Sequence, residues 1–141
     1  MSVYLWAGLI GWAAAQGAKY FVAAVKARSF RVFDRLYLSG NMPSAHSATV
    51  MSMVTIIGLR DGISGATFGV AVTLAAIVMY DAMMVRRSVG EQGEAIKSLI
   101  KATGKRGVKV PRAAKGHSPA EVLVGVLVGV LAGFVVFYAT T

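Results

Sequence analysis

The sequence has no cysteine, which excludes a disulfide-stapled scaffold, a thiolate metal site and a cysteine nucleophile together. It is also poor in charge. Asp, Glu, Lys and Arg make up 15% of its 141 residues, against about 25% in soluble domains. A soluble fold of this size would have too little polar surface to cover its core. No Gly-rich nucleotide loop with its lysine is present, and no serine sits in a GxSxG elbow. No long-period repeat divides the chain, whose length fits one domain. The first apolar run lacks a basic leader and is long enough to span a bilayer, so it is expected to be a retained helix, not a cleaved signal.

What is abundant is apolar. Hydrophobic residues account for 56% of the chain, and mean hydropathy is +0.64. Transmembrane helices need roughly 20 mostly apolar residues. Four runs are candidates: residues 3–25, 45–59, 63–85 and 119–138. The second is the shortest, at roughly 22 Å by the helical rise. The expected fold is therefore an all-α, polytopic membrane bundle of about four transmembrane helices in a single domain.

The net charge of +9 is unevenly spread. Residues 26–44 carry Lys26, Arg28, Arg31 and Arg35 against Asp34. The loop 86–116 carries Arg86, Arg87, Lys97, Lys101, Lys105, Arg106, Lys109, Arg112 and Lys115 against Glu91 and Glu94. Basic loops between apolar runs follow the positive-inside pattern and face anionic lipid, so nucleic acid is not the expected partner. Both basic loops are then cytoplasmic, and the Arg60-Asp61-Gly62 turn and both termini are external. This is an N-out, C-out protein of the plasma (inner) membrane. Within the basic loop, residues 89–102 are read as an interfacial helix. Residues 104–116 are expected to be mobile or ordered by lipid.

Ionisable groups in or beside membrane helices are expensive and tend to mark function. Here they form three clusters near the cytoplasmic face. Gly40 and Pro43 suit a tight loop, and Ser44 suits an N-cap. His46 follows in the first helical turn, where free N–H groups favour an anion. An ordinary cap with an interfacial histidine is an equally good reading of those residues alone. In Tyr80–Gln92, Asp81 precedes Arg86 by five residues and Arg87 by six. Arginine binds phosphate oxygens through its planar fork. A positive-inside anchor would explain the arginines but not the acid. In Gly116–Glu121, His117 and Glu121 are four apart, on one helical face, and Pro119 suits a first turn. A carboxylate on one ring nitrogen fixes the tautomer and sharpens the other as a nucleophile. In the first run, Gln16 and Lys19 share a face. Two histidines with Glu121 and Asp81 match no metal-ligand signature, and the nearby cations would repel a metal. Gly125, Gly129 and Gly133 form a double GxxxG for close helix contact, within the chain or with a second copy. The small size of the bundle favours a homodimer.

Pro43-Ser44-Ala45-His46-Ser47 and Gly116-His117-Ser118-Pro119-Ala120-Glu121 resemble motifs of the type 2 phosphatidic acid phosphatases, which are related to vanadium haloperoxidases. With Tyr80–Gln92 between them, the pattern is closest to the divergent branch of that superfamily, and it covers residues 16–133. The resemblance implies a metal-independent, cofactor-free lipid-phosphate phosphatase. His117 would be the nucleophile, forming a phosphohistidine, with Glu121 orienting it and His46 as general acid. Lys19, Ser44 and Arg86 or Arg87 would bind the phosphate oxygens, supported by Asp81 and Gln16. The rival is a lipid-phosphate binder or translocator without turnover, which would keep the cations and need no nucleophile.

Overall fold

The computed structural model describes residues 2–28, 42–104, 108–109 and 116–141. Its elements are α1 (Val3–Ala27), α2 (Ala45–Asp61), α3 (Ala66–Tyr80), a π turn (Asp81–Val85), α4 (Arg86–Ala102) and α5 (Pro119–Ala139). Among the described residues there is no strand. The chain is an all-α, membrane-type bundle.

α2 lies at its centre, packed against α5, α1 and α3. It is the most polar of the bundle helices, and that follows from its place. The largest fully buried side chains are Ile56, Ser44, Ser47 and Ser52. Large apolar side chains point outward: Leu9, Trp12, Leu74 and Ile77 are all exposed. A soluble core would be arranged the other way round. In lipid the outside is as apolar as leucine, so helices associate through small residues and close backbone approach. Hydroxyls on α2 are satisfied locally. Thr49 donates to the Ala45 carbonyl at 2.8 Å and Thr55 to the Met51 carbonyl at 2.7 Å. Ser52 lies 2.8 Å from both the Ala7 and the Thr49 carbonyls, one bond tying α2 to α1.

α5 has two opposite faces. Leu123, Leu127 and Leu131 are exposed, while Gly125, Gly129 and Gly133 are buried. A Cβ at Gly125 would stand 2.5 Å from the Ser44 carbonyl oxygen, and one at Gly129 2.5 Å from that of Ala48. One at Gly133 would meet the Thr55 Cβ at 2.6 Å. The glycine row is thus the seat of α2 in the same chain. Of the two packings expected for these residues, contact within the chain is the one the glycine row makes.

Several boundaries differ from the expectation. α2 runs on to Asp61, and residues 62–65 are a turn, with Gly62 at φ 83°, so the third helix starts at Ala66, not residue 63. It also does not end at 85. It passes through the π turn into α4 as one helix of 37 residues, Ala66–Ala102. The expected loop 86–116 is therefore helical in its first half, from Arg86 instead of residue 89. Residues 29–41, 105–107 and 110–115, with Arg31, Asp34, Arg35, Lys105, Arg106, Arg112 and Lys115, lie outside the described residues. The readings of those segments lie there too. Two helices, Ala66–Ala102 and Pro119–Ala139, are long and apolar enough to cross a membrane alone. α1 has the length but carries Gln16 and Lys19, and α2 has 17 residues.

Gly129→Ala places a methyl group against the α2 backbone and is expected to lower bundle stability by about 1–3 kcal/mol, the cost of overpacking. Gly69→Ala on α3 meets nothing within 4 Å and is expected to be neutral or to stabilise by up to about 1 kcal/mol through helix propensity. Thermal unfolding of both variants in one detergent compares them.

Candidate functional site

The α2–α5 seam sets the N-termini of two helices side by side. The Ser44 N–H donates to the Glu121 carbonyl at 3.0 Å, joining the first turns directly. Ser44 caps α2: its Oγ accepts from the Ser47 N–H at 3.4 Å and the Ser47 hydroxyl at 3.0 Å. Ser118 caps α5 in a reciprocal capping box. Its Oγ accepts from the Glu121 N–H at 3.3 Å, and Glu121 Oε2 accepts from the Ser118 N–H at 3.1 Å.

His117 immediately precedes that cap. Its Nδ1 is 3.0 Å from Glu121 Oε2. A carboxylate can only accept, so Nδ1 is the donor of this bond, and in the neutral ring Nε2 then keeps its lone pair. The backbone N–H of His117 donates to the Ala82 carbonyl at 2.9 Å. Both ends of the residue are held, and it is buried. It forms part of the wall of a cavity of about 790 Å³, lined among the described residues by Arg87, Gly90, Glu91, Glu94, Gly116, His117 and Ser118.

His46, exposed in the first turn of α2, completes the cluster. Arg86, His117, Lys19 and Asp81 all lie near enough to act on its charge. Lys19 is only 7% exposed. Glu121 is close enough to attract its ammonium, but no acceptor among the described residues bonds to it. Gln16, one turn earlier, has a buried Oε1 without a hydrogen-bond partner among the described residues. Arg86 is held by Asp81, Nε to Oδ2 at 2.9 Å. Arg87 pairs with Glu91 at 3.2 Å on the open side. The two arginines lie differently: Arg86 is near enough to act on the charge of His46, and Arg87 lines the cavity that holds His117.

Histidine, acid and cation therefore meet as the sequence spacing implies. Ser44 does not fit its expected place among the phosphate ligands. Its hydroxyl is fully buried and committed to the cap, so it organises the helix end. Sequence reasoning missed the Ala82 carbonyl, Gly116, and the acids Glu91 and Glu94 on the cavity wall. The five-residue interval from Asp81 to Arg86 was the available signal. A helical ion pair normally spans three or four residues. Among the described residues no group of three His, Cys, Asp or Glu side chains is arranged to hold a metal ion.

Residues 2–132 match the profile of the family described as "Divergent PAP2 family". The chain is similar to "Uncharacterized membrane protein YuiD" of Bacillus subtilis (strain 168). The two are 36% identical over 114 residues, which cover 71% of this chain and 72% of the relative. No solved structure matches.

The chain has only two histidines, so ¹⁵N ring signals can be assigned by mutation. At neutral pH the His117 ring proton is expected on Nδ1. Glu121→Ala is expected to move it toward Nε2, the commoner tautomer of a free imidazole. A wild-type proton already on Nε2 would contradict the carboxylate hydrogen bond.

Proposed function

The chain belongs to the divergent PAP2 family, and on that premise we propose that it is an integral membrane lipid-phosphate phosphatase working through a phosphohistidine. The observation that carries the reading is the His117–Glu121 pair at 3.0 Å: a buried imidazole oriented by a carboxylate, in the wall of a cavity that Arg87 also lines. A lipid-phosphate binder needs the cations but has no use for an oriented, desolvated nucleophile.

In the first step, His117 Nε2 attacks phosphorus. The N–P bond forms as the bond from phosphorus to the lipid oxygen breaks, and His46 gives that oxygen its proton. Glu121 balances the positive charge that develops on the ring. Lys19, Arg86 and Arg87 surround the position where phosphoryl charge spreads, and fixed cations in a dry site stabilise that charge strongly. In the second step, water attacks phosphorus, His46 takes its proton, and His117 leaves with phosphate released. No metal enters this scheme. The substrate is a phosphomonoester or diphosphate of a lipid whose tail stays in the bilayer.

The orientation belongs to the same proposal. Lys97 and Lys101 lie on α4 beyond the site, with further basic residues after them, and Arg60 at the opposite end is paired with the Thr140 carbonyl at 2.7 Å. The positive-inside rule then puts His46 and His117 at the cytoplasmic face of the plasma (inner) membrane.

Purified protein is tested for phosphate release from a panel of phosphatidic acid, phosphatidylglycerophosphate and polyprenyl phosphates, with and without chelator. Wild type is expected to release phosphate in both conditions, and His117→Ala to release none. His46→Ala should lose about 10²–10⁴-fold, the usual contribution of a general acid. If wild type and His117→Ala both bind lipid phosphate without turnover, the binder or translocator reading replaces the enzyme. For orientation, a cysteine at Lys97 is expected to react with an impermeant reagent only from the cytoplasmic side. Labelling from outside overturns the inward-facing site.

A further inference from the structure

The helix from Ala66 to Ala102 is regular except at Asp81–Val85, where the Arg86 N–H bonds to the Asp81 carbonyl five residues back. Such π turns are rare and occur mostly as single widened turns. Three contacts of the candidate site converge on this one. The first is the Asp81–Arg86 ion pair at 2.9 Å. At about 100° per residue, an α-helix would set positions five apart about 140° from each other, too far around the barrel to pair. The extra residue in the widened turn brings them onto one face. The second is the Ala82 carbonyl. In an α-helix it would be committed to the N–H four residues on; here it accepts the His117 N–H at 2.9 Å from outside the helix. The third is Gly116, where a Cβ would stand 2.5 Å from the Arg87 N and 2.8 Å from its Cα. Gly116 lies directly on the helix backbone at Arg87, and only glycine fits there.

We infer that the π turn is a positioning device, which sets the nucleophile backbone through Ala82 and the phosphate-side arginine through Asp81 from a single helical turn. Asp81 and Gly116 are positioning residues, acting through Arg86 and His117. A plain α-helix of the same composition would keep the apolar packing of α3 and lose this register. A misplacement of about 1 Å at a reacting group can cost about 10²-fold in rate, so the turn has catalytic consequence without touching substrate. The inference rests on the phosphatase reading for its kinetic consequences, but the geometry it describes can be measured without turnover.

The test uses four variants of the full chain in detergent or nanodiscs, with Gly69→Ala as control. Deleting Met83 lets the turn close to an α-helix in which Asp81 and Arg86, now four apart, still share a face, while the Ala82 carbonyl that receives His117 is taken by the Arg87 N–H four positions on. It is expected to lower kcat about 10²-fold while Tm and monodispersity stay near wild type. Gly116→Ala is expected to shift the His117 ¹⁵N ring signals and lower kcat about tenfold with KM little changed, because only the nucleophile moves. Asp81→Asn is expected to raise KM several-fold and leave the His117 signals in place, with Asp81→Glu recovering part of the loss. If the deletion variant does not fold, the two point substitutions decide. The inference is overturned if Gly116→Ala leaves the His117 signals unmoved, or if the deletion variant folds with wild-type kcat and KM. If wild type turns over no lipid phosphate, the phosphatase reading fails, and the His117 signals of Gly116→Ala alone still decide whether the turn positions this residue.

Discussion

The close approach of α2 to α5 is the constraint on which the rest of this structure depends. In a bilayer, apolar burial gives helices little reason to prefer each other to lipid. Contact must come from dispersion between well-fitted surfaces and from a few polar bonds. The buried glycine row of α5 meets the Ser, Ala and Thr positions of α2 so closely that backbone atoms occupy the place of a side chain. Because this seam is so narrow, α2 can be central and still carry four hydroxyl residues, each satisfied by a carbonyl or a neighbouring hydroxyl. Bulk is displaced outward, to Leu123, Leu127 and Leu131 on α5 and to the aromatic side chains of α1, where lipid receives it.

The same seam makes the site. Two helices packed in register at one end bring two N-termini together, each with its own cap and the pair joined by the Ser44–Glu121 backbone bond. Helix N-termini carry partial positive charge from unpaired N–H groups. To these are added Lys19 from α1 and Arg86 from the far side of the π turn. So much positive potential in a desolvated place is unfavourable without compensation. Glu121 and Asp81 offset part of it. An anionic ligand would offset the rest, which is why the cluster reads as a phosphate site and not merely as a helix anchor. His117 is held in that field by one bond to its ring and one to its backbone, from different helices. Its position therefore reports on the whole assembly.

How much of this could be read in advance follows from the range of each signal. The His117–Glu121 pair was legible because the two residues are four apart, with Ser118 and Pro119 marking between them where the helix begins. Lys19 and His46 could be assigned to the same face because membrane topology fixes which helix ends share a side. The glycine row announced a close contact, yet its partner was a long-range fact. Nothing in residues 125–133 distinguishes α2 from a second copy. Ser44 looked like a ligand because caps and anion sites use the same residue types, and only burial separates the two roles. The continuity of α3 into α4 was hidden by composition. The change from apolar to basic at Arg86 resembles the end of a helix, whereas here it marks a change in what surrounds the helix.

The dimensions of α2 bear on how a lipid head group would meet this cluster under the proposed function. A helix of 17 residues rises about 25 Å, short of the hydrocarbon layer of about 30 Å. One of its ends must therefore be recessed. At its C-terminus, Asp61 accepts a hydrogen bond from the Tyr4 hydroxyl at 2.7 Å, and Arg60 donates to Thr140. This is a polar and aromatic group suited to the interface, where such side chains anchor helices. With that end flush, the deficit would fall at Ala45, and the caps, His46 and His117 would sit below the level of the head groups. A lipid phosphate would then descend only slightly along its own chain axis to reach the histidines, with its tail still in the bilayer. Under the proposed function, the polar, small-residue composition that makes α2 a poor spanning helix and the recess that would admit the substrate are one property.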